Sequence, residues 1–376
     1  MIDGDNLMDI RVFTDLRFTS YPRPTGVGRH IFQMVHGLSQ IRTNKVSLLA
    51  ARDQICLSGS LSFLPICKIP MPWKLAKAAW TLTGCPAADR WCGGADWVYC
   101  PKNDFIPVRK SRVAVTIHGA SELDPDMPKC GGLLARLRRL RSRATYVRLS
   151  RQADLILTVS EFLRRQVVEW FDVDAGRVRV VGNGVEADFF EAAKKPRGCS
   201  GEASSRPFIL CVGGLNHLDG GDRIIKAAHL LKWRMPDLRV IVAGCQHEEE
   251  MRKSAAQLPN VTLLGYVSSR RLACHMRDAL ALLYPTRYET FGIAAAEAMA
   301  VGTPIVTCRS TAVPEVVGDA AIYVDPDRPE SIVEAMTALQ SPSAFRDDLI
   351  GRGHRRAEGY RWTACVSRLQ QALEQG

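Results

Sequence analysis

Short apolar runs rich in β-branched and aliphatic residues recur along the chain, separated by longer stretches of helical period. They fall at residues 113–117, 154–159, 177–181, 208–212, 238–242, 281–284 and 304–306. Runs of this length that are apolar throughout fit strands covered on both faces. Their alternation with helices predicts an α/β fold built on parallel sheets. No repeat of fixed period is present. The polar stretch 191–206, with Pro, Gly and Ser, reads as a linker. It divides the chain into an N-terminal domain (1–190) and a C-terminal domain (207–350), followed by a helical tail (351–376). A chain of 376 residues suits two such cores.

The most informative segment is 283–304, LYPTRYETFGIAAAEAMAVGTP. A strand ends near Tyr284. A helix starts near Phe291–Gly292 and stops at Gly302, with Pro304 beyond it. The free amides of Phe291, Gly292 and Ile293 would face outward at the strand's C-terminal end, where a diphosphate could sit on the helix dipole. Glu289 lies just before this helix and Glu297 inside it. Eight helical residues would set them about 12 Å apart, enough for one carboxylate to meet a sugar and the other a ribose.

This E-x7-E spacing, followed by AMAVGTPIV, resembles the family 4 retaining glycosyltransferases. Six further segments resemble the same family in order: TGVGR at 25–29, VTIH at 115–118, ADLILTVSE at 153–161, VRVVGNGVEADFF at 178–190, FILCVGGLNHLDGGDRII at 208–225 and NVTLLGYV at 260–267. The resemblance implies a GT-B fold, two Rossmann-like domains facing across a cleft, with the last helix returning to the first domain. It implies transfer of a hexose of the mannose, glucose or galactose class from a UDP- or GDP-sugar, with retention. The acceptor it implies is a saccharide, lipid-linked as in bacterial exopolysaccharide or O-antigen assembly. By position, Glu289 would bind the sugar hydroxyls and Glu297 the ribose. His118 would contact the sugar or the reacting centre. Gly26 and Gly28 would let backbone approach the donor, Gly213 and Gly214 would form the phosphate-side turn, and Tyr266 and Val267 would edge the base.

The sequence departs from that pattern at two positions. Gly214 and Asp219 stand where the family carries an Arg and a Lys for the diphosphate, and a carboxylate there repels it. Arg223 or Lys226, on the following helix, are the replacement cations to weigh. Two further readings follow: a degenerate protein of this fold that binds a sugar nucleotide or a partner without transfer, and a sugar-nucleotide epimerase.

Net charge is +11, and residues 1–190 hold 27 Lys and Arg against 18 Asp and Glu, so the excess is mostly N-terminal. That favours an anionic partner. The Arg-rich stretch 136–151 reads either as a helix docking on an anionic membrane through Arg136, Arg138, Arg139 and Arg143, or as the solvated face of a core helix whose Leu133, Leu134, Leu137, Leu140, Ala144 and Val147 point inward. Nucleic acid is excluded by the lack of interleaved aromatics. The D-x-D strings 124–126 and 325–327 lie in proline-containing loops, so no metal or other cofactor is expected. Twelve scattered cysteines without a C-x-x-C pair read as reduced, mostly buried thiols. With no apolar leader, they point to a cytoplasmic protein, peripheral at most on the inner face of the plasma membrane.

Overall fold

The computed structural model describes residues 7–14, 25–54, 61, 63–104, 106–124, 133–200, 206–245 and 248–376. The N-terminal elements are β1 (Met8–Phe13), α1 (Gly26–Ser39), β2 (Asn44–Ala51), β3 (Ile66–Ile69), α2 (Trp73–Thr83), α3 (Asp89–Cys92), β4 (Trp97–Cys100), β5 (Arg112–Ile117), α4 (Leu133–Gln152), β6 (Leu155–Thr158), α5 (Glu161–Phe171) and β7 (Val178–Val180). They are followed by α6 (Ala187–Ala193), β8 (Phe208–Val212), α7 (Gly221–Arg234), β9 (Arg239–Ala243), α8 (Glu249–Ala256), β10 (Val261–Gly265), α9 (Ser269–Asp278), β11 (Leu282–Tyr284), α10 (Ile293–Val301), β12 (Ile305–Thr307), α11 (Val313–Val317), β13 (Ala321–Tyr323), α12 (Pro329–Leu339), α13 (Ala344–Glu358) and α14 (Trp362–Gln375). Each of the seven apolar runs coincides with a strand, β5 to β9, β11 and β12.

Two compact units result. The first takes Met1–Asn183 and Trp362–Gly376, the second Gly184–Arg361. The first holds a seven-stranded parallel sheet in the order β3-β2-β1-β4-β5-β6-β7. The second holds a six-stranded one in the order β10-β9-β8-β11-β12-β13. Both orders reverse at one place, beside β1 and β4 and beside β8 and β11. Such switch points open a crevice at the strands' C-terminal ends.

The boundaries differ from those expected at 191–206 and 351. Phe189, Phe190 and Ala192 of α6 are buried, and α6 packs on α9 and α10 of the second unit. Beyond it, the amides of Gly198 and Ser200 donate to the Asp278 carboxylate, at 2.6 and 2.8 Å, and Arg277 Nε donates to Lys195 O. The described part of the expected linker is therefore bonded to α9. The change of unit comes at 183–184. Residues 351–358 complete α13, which packs on α10.

The C-terminal helix α14 belongs to the first unit because its apolar side, Cys365, Val366, Leu369, Ala372 and Leu373, closes that unit's core. Trp97 Nε1 donates to Leu373 O at 3.0 Å, Arg368 Nε to Val181 O at 3.0 Å, and Asn44 and Gln370 bond reciprocally.

Helix α4 corrects an expectation. Leu137, Leu140 and Ala144 do not point inward: Leu137 and Leu140 are 52% and 64% exposed, and the buried side is Tyr146, Leu149 and Ser150. Arg139 also leaves the basic patch, donating to Leu123 O and Asp124 O. The side chain of Arg138 lies outside the described residues, as does Asp126. Cys100, Cys211, Cys274, Cys308 and Cys365 are buried, whereas Cys85 and Cys245 are exposed. No helix among the described residues is long and apolar enough to cross a membrane.

The seat of α14 is testable at Gly37 in α1, where a β-carbon would overlap the Val366 side chain. Overpacking costs about 1–3 kcal/mol, although glycine is itself a poor helix former. Gly37→Leu is expected to lower the thermal midpoint, and Val366→Ala in the same chain to restore part of the loss. A Gly37→Leu protein that melts as high as wild type would show that α14 does not pack there.

Candidate active site

The second unit's switch point is lined by the turn after β8 and the loop after β11. Gly213 (φ 118°) and Gly214 (φ 122°) open the first. A β-carbon on Gly213 would sit 2.6 Å from Asp219 Oδ2, so only glycine fits between the strand end and that carboxylate. Asn216 and Asp219 bond reciprocally, Asn216 Nδ2 to Oδ2 at 2.6 Å and Asp219 N to Asn216 Oδ1 at 2.9 Å. Burial raises the Asp219 pKa, while the Asn216 bond opposes the rise.

The two loops are stapled together. Thr286 Oγ1 and Arg287 N both donate to Leu218 O, at 3.0 and 2.8 Å. Arg287 forms a bidentate pair with Asp222, at 2.6 and 2.8 Å, and also donates to His217 O. Arg223 donates to Pro285 O at 3.2 Å and pairs with Asp327 at 3.3 Å. Arg223, weighed as a replacement cation, thus holds loop to loop, and Lys226 is exposed on α7. In the D-x-D string at 325–327, Asp327 N donates to Asp325 Oδ1, an ordinary turn contact.

Glu289 is the centre of the second loop. Tyr284, the last residue of β11, donates its hydroxyl to Glu289 Oε1 at 2.5 Å. Desolvation pushes the Glu289 carboxyl up to about 7. The Tyr284 bond opposes this, the Asp219 charge adds to it, and a bond from the Gly292 amide opposes it. Burial first, then the charges of Glu289, Asp219 and Glu297, hold the Tyr284 pKa well above its usual value. Three carboxylates therefore bear on one buried phenol.

Helix α10 begins at Ile293, with Gly292 (φ 97°) as its N-cap and Gly302 (φ 84°) as its C-cap. Two expectations change here. The helix covers only the second half of the Glu289–Glu297 interval, so the 12 Å span of a continuous helix does not apply. The Gly292 amide does not simply face outward for a diphosphate, because it donates to the Glu289 carboxyl. Phe291 is buried against Tyr360, ring centroids 5.4 Å apart. Glu297 is 2% exposed in a helix otherwise made of apolar residues.

A third segment supports Glu289. Thr307 Oγ1 donates to Tyr284 O, Cys308 Sγ to Thr286 O and Ser310 Oγ to Arg287 O. Thr311 Oγ1 accepts from Glu289 N at 2.8 Å, and Ala312 N donates to Glu289 O at 3.3 Å. Thr311 has φ 45°, a left-handed conformation that costs a β-branched residue about 1–3 kcal/mol. At the sheet edge, Tyr266 is 41% exposed just after β10, beside the half-buried Val267.

In the first unit, His118 directly follows β5. Its Nε2–H donates to Pro101 O at 2.8 Å, and its amide to Asn103 Oδ1 at 3.3 Å. Desolvation lowers its pKa to about 4, against the Pro101 bond, so the imidazole is neutral at pH 7. The buried His30 packs edge-on against it at 4.6 Å and bonds Asn183 Oδ1 through Nδ1. Gly26 and Gly28 form the first turn of α1, where Thr25 caps the helix and accepts from Gly28 N at 3.1 Å.

The model described as Glycosyltransferase Family 4 matches residues 24–189, and the one described as Glycosyl transferases group 1 matches 194–356. The chain belongs to the family 4 glycosyltransferases. Among relatives of this glycosyltransferase, the O-antigen chain mannosyltransferase B of Escherichia coli is 25% identical over 294 residues, covering 74% of each chain. A D-inositol 3-phosphate glycosyltransferase of a Nocardioides species is 28% identical over 56% of this chain, which spans only 51% of that relative's length. The structure of Anabaena HepE in complex with UDP-glucose superposes with a TM-score of 0.68 at 16% identity, covering 98% of this chain and 99% of the other. Two Rossmann-ordered parallel sheets and this likeness establish the GT-B fold.

Sequence reasoning missed Tyr284, Thr311 and His30. Tyr284 had a legible signal, a polar residue ending a strand at the switch point. Thr311 had none, because its role depends on a backbone angle. The Tyr284 bond is testable directly. Since it lowers the Glu289 pKa, Tyr284→Phe is expected to raise that pKa above the wild-type value of about 7, read by carbon-13 NMR of the glutamate carboxyls. An unchanged or lower value would refute the bond.

Proposed function

We propose that this family member is a retaining hexosyltransferase that takes a UDP- or GDP-hexose and glycosylates a saccharide acceptor carried on a lipid. The observation that carries this reading is the Glu289 loop: a carboxyl at a parallel sheet's switch point, held by Tyr284 and by the start of α10. Near pH 7 it can accept from a sugar hydroxyl when ionised and donate when protonated. Glu297 is assigned the ribose, and His118, neutral with Nε2–H turned to Pro101 O, a sugar contact in the first unit. E. coli mannosyltransferase B supports a mannose-class donor, and the HepE complex a UDP-sugar.

The reaction breaks the bond between the anomeric carbon and the diphosphate oxygen. The acceptor oxygen bonds to the same face of that carbon, and its proton leaves on the departing nucleoside diphosphate. No side chain need act as a nucleophile in this route. Asp219 is the observation that favours the degenerate alternative, since it places a carboxylate, not a cation, on the phosphate-side turn.

The lipid part of the proposal rests on α4. Its exposed side combines Leu137 and Leu140 with Arg136, Arg141 and Arg143, and no acidic residue lies on the helix. Basic side chains near an anionic surface contribute about 1 kcal/mol each. Flotation with vesicles should therefore show binding to anionic but not zwitterionic lipid, weakened by salt and lost in a Leu140→Glu/Arg143→Glu protein. Equal binding to both lipids would contradict a docking role for α4.

The function itself is tested by incubating the protein with a panel of UDP- and GDP-hexoses, with and without a lipid-linked saccharide. The anomeric configuration of the product is then read by NMR. Transfer with retention is expected. Epimerised free donor without acceptor would make the protein an epimerase. Binding of donors without turnover would make it a degenerate binder.

A further inference from the structure

The parallel pairing of β11 with β12 ends at Tyr284 and Thr307. Beyond it, the side chains of Thr307, Cys308, Ser310 and Thr311 continue the contact rung by rung along residues 284–289. Thr311 is the last rung and the odd one. At φ 45° a glycine would be unstrained, yet a β-branched residue stands there. What glycine lacks is the hydroxyl, and this hydroxyl accepts the Glu289 amide at 2.8 Å. Backbone strain of this kind persists where the surroundings demand it.

We infer that Thr311 is a positioning residue, whose hydroxyl fixes the Glu289 peptide so that its carboxyl meets the donor's hexose in one orientation. The inference rests on the reading of Glu289 as the sugar ligand. Ser310 and Ala312, bonding Arg287 O and Glu289 O, hold the loop from either side, so Thr311 sets the angle at Glu289 rather than the existence of the loop. The site's response should be confined to the sugar. The nucleoside diphosphate does not touch Glu289 in this reading.

The test uses Thr311→Val, Thr311→Gly and Thr311→Ser in the full chain. With the donor found to turn over, kcat/KM is expected to fall 10- to 100-fold in the Val and Gly proteins, the range for small misplacements of reacting groups. Ser should recover most of it. Inhibition by UDP or GDP alone should stay within about twofold of wild type across the series. A second measurement needs no turnover. Loosening Glu289 from Tyr284 should raise the Glu289 titration seen by carbon-13 NMR in Val and Gly, and Ser should restore it. Unchanged kcat/KM and titration in the Val and Gly proteins would overturn the inference. So would nucleoside diphosphate affinity and thermal midpoint falling together with turnover, which would make Thr311 a fold residue only. A wild type that transfers from no donor, with the titration shift still present, would instead refute the proposed function.

Discussion

The second unit is organised around the hydrogen bond from Tyr284 to Glu289. It holds a carboxyl in a desolvated place where burial and Asp219 both favour the neutral form. A carboxyl left there without donors would stay protonated or turn to water. Tyr284, the Gly292 amide and the peptide clamp of Thr311 and Ala312 keep it in place. The sheet order makes this possible. β8 and β11 are neighbours whose following chains run to opposite sides, so the loops after them flank one crevice. Arg287, Thr286 and Arg223 then tie those loops to one another.

Much of this was legible in the sequence, and the limits have physical causes. Strands β5 to β9, β11 and β12 stood out because buried parallel strands read as continuous apolar runs. Strand β1 carries Asp9 and Arg11, which pair with each other, and no such run marks it. The glutamate spacing singled out residues 289–297, but spacing does not encode where a helix begins. Gly292, in a left-handed conformation, delays α10 until Ile293 and leaves its amide to Glu289. The expected linker failed for a different reason. Its polar composition says nothing of Asp278, whose carboxylate gathers the amides of Gly198 and Ser200. Helix α4 read either as a membrane-docking helix or as a core helix with Leu137, Leu140 and Ala144 inward, and its packing through Tyr146 and Leu149 shows that the Leu137 face is not the inward one.

The departure at Gly214 and Asp219 gains meaning from the structure. Asp219 is locked to Asn216, and its charge is felt at both Tyr284 and Glu289. The nearby cations Arg223 and Arg287 already have carboxylate partners in Asp327 and Asp222. Of the carboxyls gathered here, Glu289 is the one pushed up to about 7, so its protonation near neutral pH sets the charge of this loop.

That dependence supplies the most direct measurement, the pH profile of kcat/KM for the preferred donor in wild type and in Glu289→Gln. The free enzyme's essential groups set such a profile. Wild type is expected to show an inflection near pH 7, where Glu289 titrates. The Gln protein should lose most of its activity and that inflection with it. A wild-type profile flat from pH 6 to 8, or an active Gln protein with the same inflection, would contradict the placing of Glu289 at the reacting sugar.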